Sequence, residues 1–157
     1  NYNGVRRRFD IKENNSNIIV VDDYAHHPTE VEATIDAAIS GWDKEIIVVF
    51  QPHLFSRTRD FYKEFAESLY KSNFILITDI YPAREEPLKG INSKLILDEL
   101  KNLGHKNTFH IKDLSKLNQI LDEFNLDNHM VITMGAGDIW RYNENYNNHL
   151  NEKVSAK

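Results

Sequence analysis

Two carboxylates, a tyrosine and two histidines crowd into Asp22-Asp23-Tyr24-Ala25-His26-His27, with Pro28 directly after them. A second concentration, Gln51-Pro52-His53-Leu54-Phe55-Ser56-Arg57-Thr58-Arg59, sets one histidine ahead of two arginines. The acids suit a ribose diol or a metal ion. They equally suit the plain job of capping a turn at a strand end. His26 and His27 are adjacent on an extended segment and point to opposite sides, and spacing supplies no third ligand, so zinc is not indicated. A histidine hydrogen-bonded to a helix end or to a substrate fits better, with Tyr24 packing beside it. Arg57 and Arg59, near a helix start, suit a carboxylate or phosphate held by paired hydrogen bonds; the competing reading is solvated charge. Gln51-Pro52-His53 forms a stiff loop that would aim them. Gly135-Ala136-Gly137 permits close backbone approach and offers helix N–H groups to an anion. It lacks the full dinucleotide fingerprint, and no Gly-x-x-x-x-Gly-Lys-Ser/Thr occurs anywhere in the chain.

The elements that must carry these groups are legible from periodicity. Val5, Phe9 and Ile11 share one parity, which predicts a half-exposed strand over Gly4 to Glu13. On such a strand Arg6 and Arg8 lie opposite Phe9, so at least one reaches the same region. Asn14-Asn15-Ser16-Asn17 reads as a turn, and Ile18 to Val21 as the second arm of a β-hairpin. Pro28 opens a helix with Val31, Ile35, Ala38 and Ile39 on one face, and Gly41 closes it. Ile46 to Phe50, Phe74 to Thr78, Thr108 to Ile111 and Met130 to Met134 read as further strands. Helices fall between them: one bearing Phe61, Phe65 and Leu69, one capped by Asn92 or Ser93, one over Asp113 to Phe124, and a last one from Ile139. Strict alternation predicts an α/β fold with a mainly parallel sheet of about five strands, helices on both faces and an N-terminal hairpin. Four polar loops then follow strand C-termini and gather along one edge: Asp22 to His27, Gln51 to Arg59, Asp79 to Glu86, and Gly135 to Asp138.

Bulk properties narrow the function classes. With 157 residues, 41% hydrophobic and 27% charged, one folded domain with a real core is expected. A net charge of −5 argues against nucleic acid as partner. Absence of cysteine removes disulfides, thiolate metal sites and thiol nucleophiles. No apolar run reaches the roughly 20 residues a membrane helix needs, so no membrane partner is expected. The opening Asn1-Tyr2-Asn3-Gly4 reads as the interior of a longer, cytoplasmic protein. The expected division is a domain over 1–142 and a polar C-terminal tail over 143–157.

Five ordered motifs carry a family likeness: Gly4-Val5-Arg6-Arg7-Arg8-Phe9; Asp22-Asp23-Tyr24-Ala25-His26-His27-Pro28-Thr29-Glu30; Gln51-Pro52-His53-Leu54-Phe55-Ser56-Arg57-Thr58-Arg59-Asp60; Tyr81-Pro82-Ala83-Arg84-Glu85; and Gly135-Ala136-Gly137-Asp138-Ile139. Together they resemble the C-terminal, Rossmann-like domain of the Mur ligases. Within that family they look like the members that join L-alanine to UDP-N-acetylmuramate. The resemblance implies an ATP- and Mg2+-dependent amide-bond former of peptidoglycan precursor synthesis, working through an acyl phosphate. It also implies an N-terminal UDP-binding domain and a central ATP-binding domain outside this chain, which alone would be inactive. Carried over, Arg8 would reach the ATP γ-phosphate and Asp23 would accept hydrogen bonds from the ribose. Tyr24, His26 and His27 would lie beside the amino acid and sugar, with Arg8 and His27 as the catalytic pair. His53 and Arg57 would hold L-alanine. Some relatives carry Arg where Leu54 stands, which leaves Arg59 or a backbone N–H to help with the carboxylate. Gly135 and Ala136 would touch substrate, and Arg84 has no assigned role. Two alternatives stay open: a ligase that recycles murein tripeptide onto the same UDP-sugar, and a non-catalytic nucleotide- or anion-binding module.

Overall fold

Residues 7–125 and 127–156 are described by a computed structural model. Among the described residues six stretches pair into one sheet: β1 (Asp10–Lys12), β2 (Ile19–Asp23), β3 (Glu45–Phe50), β4 (Phe74–Thr78), β5 (Thr108–Ile111) and β6 (His129–Met134). Their order across the sheet is β1-β2-β6-β3-β4-β5. β1 runs antiparallel to β2, pairing Ile11 with Val21, and the other five strands are parallel. The expected architecture is therefore present, hairpin included. The last strand in sequence, β6, inserts between β2 and β3.

Five α-helices flank the sheet: α1 (Pro28–Gly41), α2 (Phe55–Leu69), α3 (Lys94–Asn102), α4 (Leu117–Glu123) and α5 (Ile139–Ser155). Successive strand side chains point to opposite faces, so each parallel strand feeds two cores. Val21, Val48, Phe50, Ile75, Ile77 and Ile132 meet α1, α2 and α3 through Ile35, Phe65 and Leu100. Val20, Ile47, Val49, Leu76 and Val131 meet α4 and α5 through Leu121, Ile139, Tyr146 and Leu150. Each fully buried aliphatic or aromatic side chain contributes about 1.5–3 kcal/mol. Among the described residues no helix is long and apolar enough to cross a membrane.

Three expectations are corrected. The first strand is only Asp10–Lys12, because Phe9 turns the chain at φ 45 and stacks on Trp42 at 5.3 Å. Arg6 and Val5 of that expected strand lie outside the described residues. Asp113 to Phe124 begins as a 3-10 turn, Leu114–Lys116, before α4 proper. The stretch set apart as a polar tail, 143–157, falls largely inside α5, whose helix runs to Ser155. Its inward stripe, Asn143, Tyr146 and Leu150, is one residue per turn, too thin to stand out in an Asn-rich sequence.

Candidate functional site

Register places the site. Asp23 pairs with Met134, Met134 with Phe50, and Phe50 with Ile77, so these four residues lie in one row. The loops that leave them emerge side by side at the C-terminal edge, where open parallel sheets place ligands. All four polar loops expected at one edge are there.

The Gln51 to Arg59 loop carries the densest chemistry. His53 forms a parallel bridge with Tyr81 and stacks its ring on the tyrosine at 5.9 Å and 14°. The ring of His26 lies 6.0 Å away, edge-on, with Tyr24 a further 5.1 Å beyond it. Arg57 Nη1 comes within 3.4 Å of His53 Nδ1. Among the described residues Arg57 forms no ion pair, so its guanidinium is open to an incoming anion. Burial is the main cause that pushes the His53 pKa below its ordinary value, with Arg57 and His26 pushing the same way. His53 is thus a neutral imidazole at neutral pH. His26 Nδ1 sits 2.9 Å from the Tyr24 carbonyl, which fixes its ring.

Several expected site residues have work within the fold. Asp23 is 6% exposed. Its carboxylate accepts from Phe9 N at 2.8 Å, Ala25 N at 2.8 Å and Thr34 Oγ1 at 3.1 Å. Burial nevertheless wins over these donors and raises its pKa. With three in-chain donors, little acceptor capacity is left for a ribose. His27 is the N-cap of α1: its Nδ1 accepts from Thr29 N, and Glu30 answers by accepting from the His27 N–H. Its ring lies edge-on to Phe61 at 5.0 Å, so the residue expected to be catalytic also has structural work. Arg59 is paired with Asp60 at 2.8 Å and half exposed, apart from the His53–Arg57 pair. Arg8 is 66% exposed, and among the described residues its one ion pair is with Glu30 at 3.8 Å. Arg8 and Asp23 border a groove of about 380 Å³ on the α1 side.

The glycine loop is built for contact. A Cβ on Gly137 would come within 2.5 Å of the Tyr81 ring and 2.6 Å of Gln51 Oε1. A Cβ on Gly135 would meet the Gln51 carbonyl at 2.9 Å. Gln51, 4% exposed, spans the gap: Nε2 donates to Asp138 Oδ1 at 2.8 Å and Oε1 accepts from Ile139 N at 3.2 Å. Ala136 is half-buried and lines a cavity of about 530 Å³ with Arg7, Tyr24 and Trp140.

Sequence reasoning missed Gln51 and Arg7 as organisers. Arg7 Nε donates to Asp22 Oδ2 at 2.6 Å, and its Nη2 donates to the Gly135 carbonyl at 2.9 Å. Only a charge placed beside a buried acid could have flagged it, and three consecutive arginines hid which one mattered.

The family model described as "Mur ligase, glutamate ligase domain" matches residues 7–137, and the chain belongs to the Mur ligase family. It is 44% identical, over 99% of its length, to the UDP-N-acetylmuramate–L-alanine ligase of Pelodictyon phaeoclathratiforme, of which it covers 33%. It is 39% identical, also over 99%, to the enzyme of that name from Geobacter sulfurreducens, covering 34% of it. The crystal structure of the UDP-N-acetylmuramate–alanine ligase of Thermotoga maritima superposes with a TM-score of 0.73 at 28% identity, over 96% of this chain and 30% of that one. The chain thus spans about one third of the length of the curated relatives it matches.

Proposed function

We propose that this chain is the amino-acid-handling domain of an ATP-dependent ligase that joins L-alanine to UDP-N-acetylmuramate, with the UDP-sugar and most of the ATP held by the rest of a longer protein. The observation that carries this is the Arg57–His53 pair: an open guanidinium beside a neutral imidazole, walled by Tyr81 and His26. A zwitterionic amino acid needs a cation for its carboxylate, and Arg57 supplies one with two-pronged geometry. Its ammonium must lose a proton before the nitrogen can attack an activated carboxyl group. A neutral His53 puts no second positive charge beside that ammonium, whose proton passes to solvent.

On this proposal ATP activates the sugar carboxylate as an acyl phosphate. Arg8, exposed and loosely held, is the residue here that meets the phosphate; a guanidinium there stabilises the charge in transfer. Asp23 acts on it indirectly, by holding the Phe9 N–H next door. Ala136 offers backbone beside Tyr24 for the substrate's amide or carbonyl groups, and Gly135, whose N–H and carbonyl meet Asp23 and Arg7, holds that loop in place. Mg2+ is held with the ATP, mainly by the rest of the longer protein.

The test uses the full-length protein and follows amide formation with UDP-N-acetylmuramate. Arg57→Ala should raise the KM for L-alanine by about 30-fold or more and leave the KM for ATP near its starting value. An unchanged KM for L-alanine would overturn the assignment. Offering L-Ala-γ-D-Glu-diaminopimelate in place of L-alanine separates this function from tripeptide recycling.

A further inference from the structure

The Asp79–Pro87 stretch is too rich in proline and charge to be regular, and beyond the Tyr81 ring it has no part in the chemistry above. It nevertheless grips the segment that carries His53 and Arg57. Tyr81 N donates to the Pro52 carbonyl at 2.8 Å, and Leu54 N donates to the Tyr81 carbonyl at 2.9 Å. Ser56 N donates to Glu85 Oε1 at 3.1 Å, and Ser56 Oγ donates to Glu85 Oε2.

Helix α2 shows why the grip is needed. A helix start leaves its first N–H groups unpaired, and a side-chain oxygen at the N-cap normally accepts one. The N-cap of α2 is Leu54, which has no such oxygen, and the first turn carries no acidic residue. Leu54 also sits at φ 74, a conformation that a leucine adopts only when its surroundings impose it. The neighbouring loop supplies what the helix lacks. The Glu85 carboxylate lies at the positive end of α2, where negative charge is favoured. The Ser56 hydroxyl holds the Glu85 pKa below the ordinary carboxylate value, so the charge is present at neutral pH.

We infer that Glu85 is a positioning residue: it caps α2 from the next loop and so fixes Arg57, one residue beyond Ser56, against His53 for the amino-acid carboxylate. This rests on the amino-acid assignment made above. The consequence is geometric. A first turn without its cap frays, and a guanidinium displaced by about 1 Å loses the alignment on which paired hydrogen bonds depend. A rival role, direct contact of Glu85 with the substrate ammonium, makes a different demand, because it needs the negative charge itself.

The experiment measures KM and kcat for L-alanine in the full-length ligase. Glu85→Ala should raise the KM for L-alanine about tenfold and shift kcat and the KM for ATP by less than about threefold. Glu85→Gln keeps an oxygen for the Ser56 N–H and should stay within about threefold of the parent. If Glu85→Ala leaves that KM unchanged while Arg57→Ala raises it, the positioning role is wrong and the amino-acid assignment stands. If Glu85→Gln is as impaired as Glu85→Ala, the charge acts directly and positioning is overturned. If Arg57→Ala and Glu85→Ala both leave KM unchanged, the amino-acid assignment falls and takes this inference with it. Should Glu85→Ala fail to fold, Glu85→Ser decides, since its side chain is too short to reach Ser56: a rise of about tenfold supports the cap, and a KM within about threefold of the parent overturns it.

Discussion

Asp22 and Asp23 are neighbours in sequence and back to back in space. Asp22 faces α5, where it takes Arg7 and the Thr133 hydroxyl, the latter at 2.8 Å. Asp23 faces α1, where it takes Phe9 N, Ala25 N and Thr34. One strand end thus anchors the arriving chain twice, at Arg7 from one side of the sheet and at Phe9 from the other. Arg8, the residue between them, is held at both ends and stays exposed at its tip.

Removing Arg7 should be costly. Its partner Asp22 is 1% exposed, and an acid left alone there is an uncompensated buried charge. Arg7→Ala is expected to lower unfolding free energy by about 3–5 kcal/mol. Urea unfolding of parent and variant measures this; a loss below about 1 kcal/mol would mark the pair as an ordinary surface contact.

Two glycines should answer differently to the same substitution. Gly137→Ala drives a methyl into Tyr81 and Gln51 and should cost about 1–3 kcal/mol. Gly41 ends α1 with nothing within 4 Å of its would-be Cβ. Gly41→Ala should therefore be neutral or stabilising by up to about 1 kcal/mol, since alanine is the better helix former. Thermal melts of the two variants decide, and a larger loss at Gly41 would refute the packing account.

His53 should make stability depend on pH. Its folded pKa is depressed below the unfolded value of 6.5, chiefly by burial. The unfolded chain therefore binds the proton more readily as pH falls through 6.5. The His53 contribution is fully present above 6.5 and is lost as pH drops from there through the folded value. His53→Gln, which cannot charge, should flatten this part of the profile. Urea midpoints at about pH 8 and about pH 5 for parent and variant test it; equal slopes would count against a depressed pKa.

Much of this fold could be read from residue order because each strand is a short apolar run between helices of clear period. Phe74–Thr78 and Thr108–Ile111 fall where the sequence predicts them. The position of β6 was hidden, since sequence order does not state which strands become neighbours across a long crossover. At the site, His53, Arg57 and His26 were visible as types at useful spacing. The cap on α2 was not. Leu54 gave no sign that its helix lacked an acceptor, and Glu85, 29 residues from Ser56, looked like one charge in a charged loop. The capping work of His27 was hidden too, because at an N-cap this histidine does the work usually given to Ser or Asp.

Helix α5 sets the size of the piece that can be moved between proteins. The family model's match ends at Gly137, two residues before the helix begins, although full-length relatives align over 99% of the chain. Yet Ile139, Tyr146 and Leu150 wall one whole core, and Asn143 donates to Thr133 Oγ1, whose hydroxyl reaches Asp22. A graft that stopped at Gly137 would leave Val20, Ile47, Val49 and Val131 bare on one side and cut the support beneath Arg7. The portable unit runs through Ser155, so a chimera that exchanges this domain for a relative's must carry its own final helix.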